Sequence, residues 1–196
     1  MLQDLISSIK NLIEMSPEAE EYVNSIAKEK KVSKGDILIR QGQRVENTFY
    51  VTSGCIRSFC VDKNGKEHTL QFAIKNWWIS DFIAYYDTDI ATLTVECIKD
   101  SNIIQFNAKD LDEIYLKFSE FEIFQRKILE RHVVSLNKRI LNQLQLTAKE
   151  RYNLFTKQYP DIELYTPNYH IASYLGITQQ SLSRIRAEKS KYNLLP

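Results

Sequence analysis

Residues 176–189 read Gly-Ile-Thr-Gln-Gln-Ser-Leu-Ser-Arg-Ile-Arg-Ala-Glu-Lys. The side chains gathered here are the ones that read base edges and phosphates. Gln bonds adenine through two atoms, Arg bonds guanine O6 and N7, and Ser or Thr touches bases or phosphates. Thr178, Gln179, Gln180 and Ser181 open the stretch and are the candidate base and phosphate readers. Ser183 points the same way, and Arg184 is a candidate contact to either group. Arg186, Lys189 and Lys191 are candidate contacts to the phosphate backbone. Leu182 and Ile185, three apart, supply an inner face, as one turn of helix requires.

Such readers need a scaffold. The preceding stretch, Thr-Pro-Asn-Tyr-His-Ile-Ala-Ser-Tyr-Leu-Gly, predicts a short helix capped by Thr166, with Pro167 in its first turn and Gly176 at its end. Ile171, Tyr174 and Leu175 form its inner face, and Ala172 is small where a second helix must approach. Thr178 caps that second helix. Two short helices joined by a glycine turn are a helix-turn-helix. The charge agrees. From Leu146 onward the bases Lys149, Arg151, Lys157, Arg184, Arg186, Lys189 and Lys191 outnumber the acids Glu150, Asp161, Glu163 and Glu188, although the 196-residue chain has a net charge of only +1.

Upstream, the texture falls into blocks. Residues 2–13 carry Leu2, Leu5, Ile6, Ile9, Leu12 and Ile13 at helical spacing, and residues 15–32 predict a second helix capped by Ser16 with Pro17 at its first position. From about residue 31 to 107, short runs of β-branched and aromatic residues alternate with Gly and Asn. They predict strands broken at Ser53-Gly54, a hairpin at Asn64-Gly65 with both residues at positive φ, and two strands within 93–107. Residues 108–118 are a short helix. Ser119 to Leu146 runs without Gly or Pro, and Leu129, Val133, Leu136 and Ile140 step by four, three and four along it, the seam of a helix pair. Cys55, Cys60 and Cys97 form no C-x-x-C pair, which predicts reduced thiols in a cytoplasmic protein. No apolar run approaches the roughly 20 residues of a membrane span, so no membrane partner is expected. His68, His132 and His170 are scattered and predict neither a metal site nor a metal-dependent β-roll enzyme. No enzyme activity and no cofactor are expected.

Lys-Gly-Asp-Ile-Leu-Ile-Arg-Gln-Gly-Gln (34–43), the run 49–72 with Gly54 at a turn, and Ile-Ala-Ser-Tyr-Leu-Gly-Ile-Thr-Gln-Gln-Ser-Leu-Ser-Arg-Ile-Arg (171–186) resemble the Crp/Fnr family of bacterial transcription regulators, from about residue 20 onward. The resemblance implies an α+β fold. Residues 1–117 would be a cyclic-nucleotide-binding-like β jelly-roll (double-stranded β-helix) sensor with N-terminal helices. Residues 118–145 would be a dimerisation helix, and residues 146–196 a helix-turn-helix domain. It implies a homodimer, double-stranded DNA as ligand, RNA polymerase as a further partner, and a small-molecule effector of unknown identity. A second reading is a cyclic-nucleotide or small-molecule module that regulates a partner protein instead of DNA.

This chain departs from the family pattern in three places. Residues 76–98 hold no Gly-Glu pair and no Arg to meet a nucleotide phosphate, and Asp81, Asp87 and Asp89 would repel one, so cyclic AMP is not expected to bind. The N-terminal cysteine cluster of iron–sulfur members is missing. The seven residues after Lys189 are too few for a two-stranded wing. Trp77, Trp78, Phe82, Tyr85 and Tyr86 crowd the segment where a phosphate would sit. Of these, Trp78, Phe82 and Tyr85, with Arg57, are the candidate lining of an effector pocket.

Overall fold

The computed structural model describes residues 1–88 and 90–192; of Thr88 and residues 190–192 it describes the backbone alone. Asp89 and the side chain of Lys191, both named above, lie outside it.

Two helices open the chain, α1 (Leu2–Lys10) and α2 (Pro17–Ile26). The Ser16 hydroxyl accepts from the Ala19 N–H and starts α2, with Pro17 in its first turn. α2 stops at Ile26, earlier than its charged continuation predicts. Lys28–Val32 forms β1 instead, paired antiparallel with β6 (Thr94–Asn107) from Lys28 opposite Gln105 to Val32 opposite Ser101. Four exposed side chains in five residues give no inward alternation to read, so the backbone ladder decides the conformation.

The other strands are β2 (Ile37–Ile39), β3 (Asn47–Val61), β4 (Glu67–Ala73) and β5 (Trp77–Ile79), in one antiparallel sheet of order β1-β6-β3-β4, with β2 on β6 and β5 on β3. β3 is one strand of 15 residues and β6 one of 14, where the sequence pattern predicts breaks. The expected turn at Ser53-Gly54 is a run of register shifts inside β3. Gly54 has φ +93°, and a Cβ there would stand 2.6 Å from the Asp100 carbonyl oxygen. Glycine lets two long strands cross closely as they bend, so the sheet curls into a roll without a turn. The hairpin at Asn64-Gly65 forms, but only Gly65 takes positive φ. The Asp62 carboxylate receives the N–H groups of Asn64 and Lys66, which supports a longer loop than a two-residue turn.

The roll encloses Ile39, Phe49, Val51, Ile56, Ile79, Val95 and Ile103. A second core joins α1, α2, α3 (Ala108–Lys117) and the first turns of α4 (Ser119–Gln145) through Leu5, Ile9, Val23, Ile114, Phe121 and Phe124. Beyond Ile128 no α4 side chain is buried. A capping box, with Thr147 and Glu150 satisfying each other's backbone N–H, starts α5 (Ala148–Gln158). A 3-10 turn (Ile162–Leu164) leads to α6 (Asn168–Leu175) and α7 (Gln179–Tyr192).

Candidate nucleic-acid interface

Gly176, at φ +67°, ends α6 in the left-handed region, and α7 begins three residues later. The cap of α6 is Pro167, one residue beyond the expected Thr166, whose hydroxyl is buried and makes no cap bond. At α7 the Thr178 hydroxyl accepts from the Ser181 N–H and donates to the Ser181 hydroxyl. These two candidate readers therefore spend their side chains on starting the helix. Leu182 and Ile185 are buried against Ile171, Ala172 and Leu175. That packing turns Gln179, Gln180, Ser183 and Arg184 outward, all exposed. Two residues with their neighbours one turn on make a single patch of donors and acceptors.

Arg186 and Lys189 depart from the expected backbone role. The Arg186 guanidinium ion-pairs with Glu163 at 2.5 Å and donates to the Asn168 side-chain oxygen at 2.5 Å. The Lys189 ammonium lies 3.4 Å from the Thr156 hydroxyl and 5.2 Å from the centre of the Tyr152 ring. Both cations brace α7 against the rest of its own domain. α7 continues as helix through Tyr192, over residues where a wing would begin.

The long helix carries an apolar stripe. Leu129, Val133, Leu136 and Ile140 are 38–56% exposed, and the stripe continues through Leu144 at 77%. An open groove of about 630 Å³ runs beside it, lined by Tyr115, Gln125, Leu129, Val133 and Val134 among others.

The four candidate effector residues are not brought together. Trp78 packs on Tyr50, Phe106 and Phe124. Phe82 and Tyr85 both pack on Tyr86, and Phe82 also meets His132. Arg57 is elsewhere. It is 1% exposed, paired with Glu67 at 2.7 Å and Glu96 at 2.8 Å, and lies over the Phe59 ring at 3.8 Å. Its face of β3 also bears Cys55, which belongs to a core shared with Phe72, Tyr152, Phe155, Tyr159 and Ile171. Arg57 therefore sits on the side of the sheet that meets the C-terminal helices, opposite the roll interior. Near it, His170 is 3% exposed with neither ring nitrogen hydrogen-bonded. Burial first, then the charges of Arg57 and Lys34, push its pKa down to about 3.

Asp81 does not stand as a free repelling charge. Its carboxylate is fully buried and accepts from the N–H groups of Ile83 and Ala84, both at 3.1 Å. It also accepts from Thr92 N–H at 2.6 Å, the Thr92 hydroxyl at 3.0 Å and Leu93 N–H at 2.7 Å. One side chain thus starts the short π-helix Ala84–Thr88 and ties it back to the strand approach at 92–93. Among the described residues no group of three His, Cys, Asp or Glu is placed to hold a metal. Cys55 and Cys97 are buried and Cys60 half-buried, all as free thiols, and burial raises the Cys55 pKa to about 12.

Residues 29–118, from β1 to the end of α3, match the family model of the cyclic nucleotide-binding domain. Over 175 residues the chain is 22% identical to the transcriptional activator protein FnrA of Stutzerimonas stutzeri, spanning 84% of this chain and 71% of that protein. A solved transcriptional regulator of the Crp/Fnr family from Eubacterium rectale superposes with TM-score 0.69 at 15% identity, covering 93% of this chain and 87% of its own. This chain carries a cyclic nucleotide-binding domain, and in sequence and fold it is similar to Crp/Fnr transcription regulators.

A second solved structure, FixK2 from Bradyrhizobium japonicum, covers 87% of this chain and 88% of its own length, with TM-score 0.70 and 19% identity. These likenesses are of fold. Arg139 and Ser173, each holding two or more elements together, stand outside the sequence expectations, and Asp81, expected to repel a phosphate, has a structural role instead. Only Asp81 had a local signal, as an Asp before a helical turn.

Proposed function

We propose that this chain is a Crp/Fnr regulator of transcription, acting as a homodimer paired along α4 and reading one half-site with each α7. The observation that carries the reading is the exposed patch of Gln179, Gln180, Ser183 and Arg184 on a helix whose register is set by the Thr178 cap and the buried Leu182 and Ile185. Gln and Arg at the start of a second helix are placed to meet major-groove edges. The half-exposed stripe from Leu129 to Ile140 supports a partner helix, since apolar side chains at that spacing gain by being covered. Two copies would then meet half-sites about one DNA turn apart. Activation, the role named for its relatives, would bring RNA polymerase as a further partner. The regulators named among its relatives support a role in regulation over one in catalysis, and among the described residues no helix is long and apolar enough to cross a membrane.

Cyclic AMP is not its effector. No arginine lies between residues 76 and 98, Asp81 occupies a converging set of donors there, and Arg57 faces the other side of the sheet. The test is selection of randomised duplex DNA by the purified full chain at a stated salt concentration, with and without cyclic AMP. Enrichment of a two-fold symmetric site, unchanged by the nucleotide, is the expected result. A site enriched only with cyclic AMP would overturn the effector reading. No enrichment under either condition would favour a module that acts on a partner protein.

A further inference from the structure

The sensor sheet and the helix-turn-helix are joined through the free edge of β4. The Ser173 hydroxyl, on α6, accepts from the Thr69 N–H at 2.8 Å and donates to the Glu67 carbonyl at 2.8 Å. It takes the position a neighbouring strand would take. Arg139, on α4, donates to the Thr69 carbonyl at 3.1 Å, to the Leu70 carbonyl, and to the Tyr174 carbonyl at 3.3 Å. Its guanidinium also lies 4.3 Å from the centre of the Tyr174 ring. One side chain therefore holds the long helix, the sheet edge and the first helix of the DNA-binding unit at once. Gln143 and Arg151 add bonds to the Leu175 carbonyl at 3.3 and 3.2 Å. Below them Phe72 inserts from β4 among Phe155, Tyr159 and Tyr174, with ring centres 5.3–6.0 Å apart.

α4 and α5 are separated by a backbone break at Leu146, with φ −99° and ψ 148°. Left alone, that extended joint would let α5–α7 swing relative to α4. We infer that Arg139 and Ser173 are positioning residues for DNA recognition: they clamp α6 to the β4 edge and to α4, and so fix the distance between the two recognition helices of the dimer. The inference rests on the proposed dimeric reading of DNA. The clamp leaves the reading patch uncovered, because Gln179, Gln180, Ser183 and Arg184 are all exposed with it closed. The clamped pose is therefore the reading pose, and opening the clamp costs spacing selectivity.

Three full-length proteins decide this: wild type, Arg139→Ala, and Ser173→Ala, the last removing a single oxygen. Without DNA, amide hydrogen exchange at Thr69 should be slow in wild type and accelerate in Ser173→Ala. Fast exchange at Thr69 in wild type would overturn the clamp whatever happens with DNA. On DNA, wild type should prefer one half-site spacing. Both variants should keep affinity for an isolated half-site, lose about tenfold on the preferred spacing, and bind sites lengthened by one or two base pairs equally well, as loosely joined modules do. Variants that keep the wild-type spacing preference would refute the positioning role. Wild type that selects no paired half-sites, yet shows slow exchange at Thr69, would remove the dimeric reading and the role built on it, leaving the contact itself in place.

Discussion

Asp81→Asn should be among the most damaging single-atom changes available in this protein. The carboxylate receives five donors, two on one oxygen and three on the other. An amide keeps one oxygen. Its less harmful orientation leaves that oxygen on Thr92 and Leu93 and turns the NH2 toward the N–H groups of Ile83 and Ala84. Two buried backbone donors then face another donor. Each hydrogen bond to a charged acceptor contributes about 1.5–3 kcal/mol, so two lost bonds give about 3–6 kcal/mol. For a chain of this size that is about 6–24 °C in Tm. The assay is urea denaturation of wild type and variant, with the midpoints compared at equal m-value. Hydrogen exchange at Ile83, Ala84, Thr92 and Leu93 would locate the damage. A midpoint change worth less than about 1 kcal/mol would refute the claim that this carboxylate fastens the segment, because the contribution of even one such bond exceeds it.

Leu136→Asp should split the proposed dimer, since a partner helix would have to bury an unpaired charge; a dimer surviving in sedimentation would exclude the α4 stripe as its interface. Arg184→Ala should weaken specific DNA binding by about 1–3 kcal/mol and relax selectivity at one base position, read by titration of the selected site. Unchanged affinity would remove Arg184 from the reading set. Stability should also fall with acid through His170. Its pKa, pushed down to about 3 by burial, lies below the unfolded value near 6.5, so the folded state takes up the proton less readily. Stability is then complete above about pH 7 and falls between pH 6.5 and 3 by up to about 1.4 kcal/mol per pH unit. Glu67 lies 3.6 Å away but is already held by Arg57, so it does little to offset the burial. His170→Leu should flatten the pH dependence of the urea midpoint between pH 7 and 5; an equal slope in both proteins would refute it.

What could be read from the sequence was local. Ser16 and Thr178 cap their helices through their own neighbours, and Gly176 needs only its own backbone freedom, so the helix-turn-helix was legible in a dozen residues. What depends on distant chain was not. β1 owes its conformation to β6, some 70 residues on, and Gly54 makes a bulge instead of a turn because Asp100 and Ser101 press against it. Arg57 reads as a candidate pocket residue, and its place on the opposite face of the sheet is set by the distant C-terminal helices that cover it. At the site, residue types marked out the reading helix. They could not separate Gln179, Gln180, Ser183 and Arg184 from Thr178, Ser181, Arg186 and Lys189, because that division is made by Glu163, Asn168 and the helix cap.

The seal on β4 also bears on how the sensor would behave if parted from its C-terminal helices. A fragment ending before residue 148 would lose the Ser173 hydroxyl from the Thr69 N–H and the Glu67 carbonyl, and would bare Phe72 beside them. A strand edge with unmet donors and acceptors next to an aromatic side chain is a template for a second copy of itself. On that argument the C-terminal helices would double as the guard that keeps this edge from stacking on a second copy.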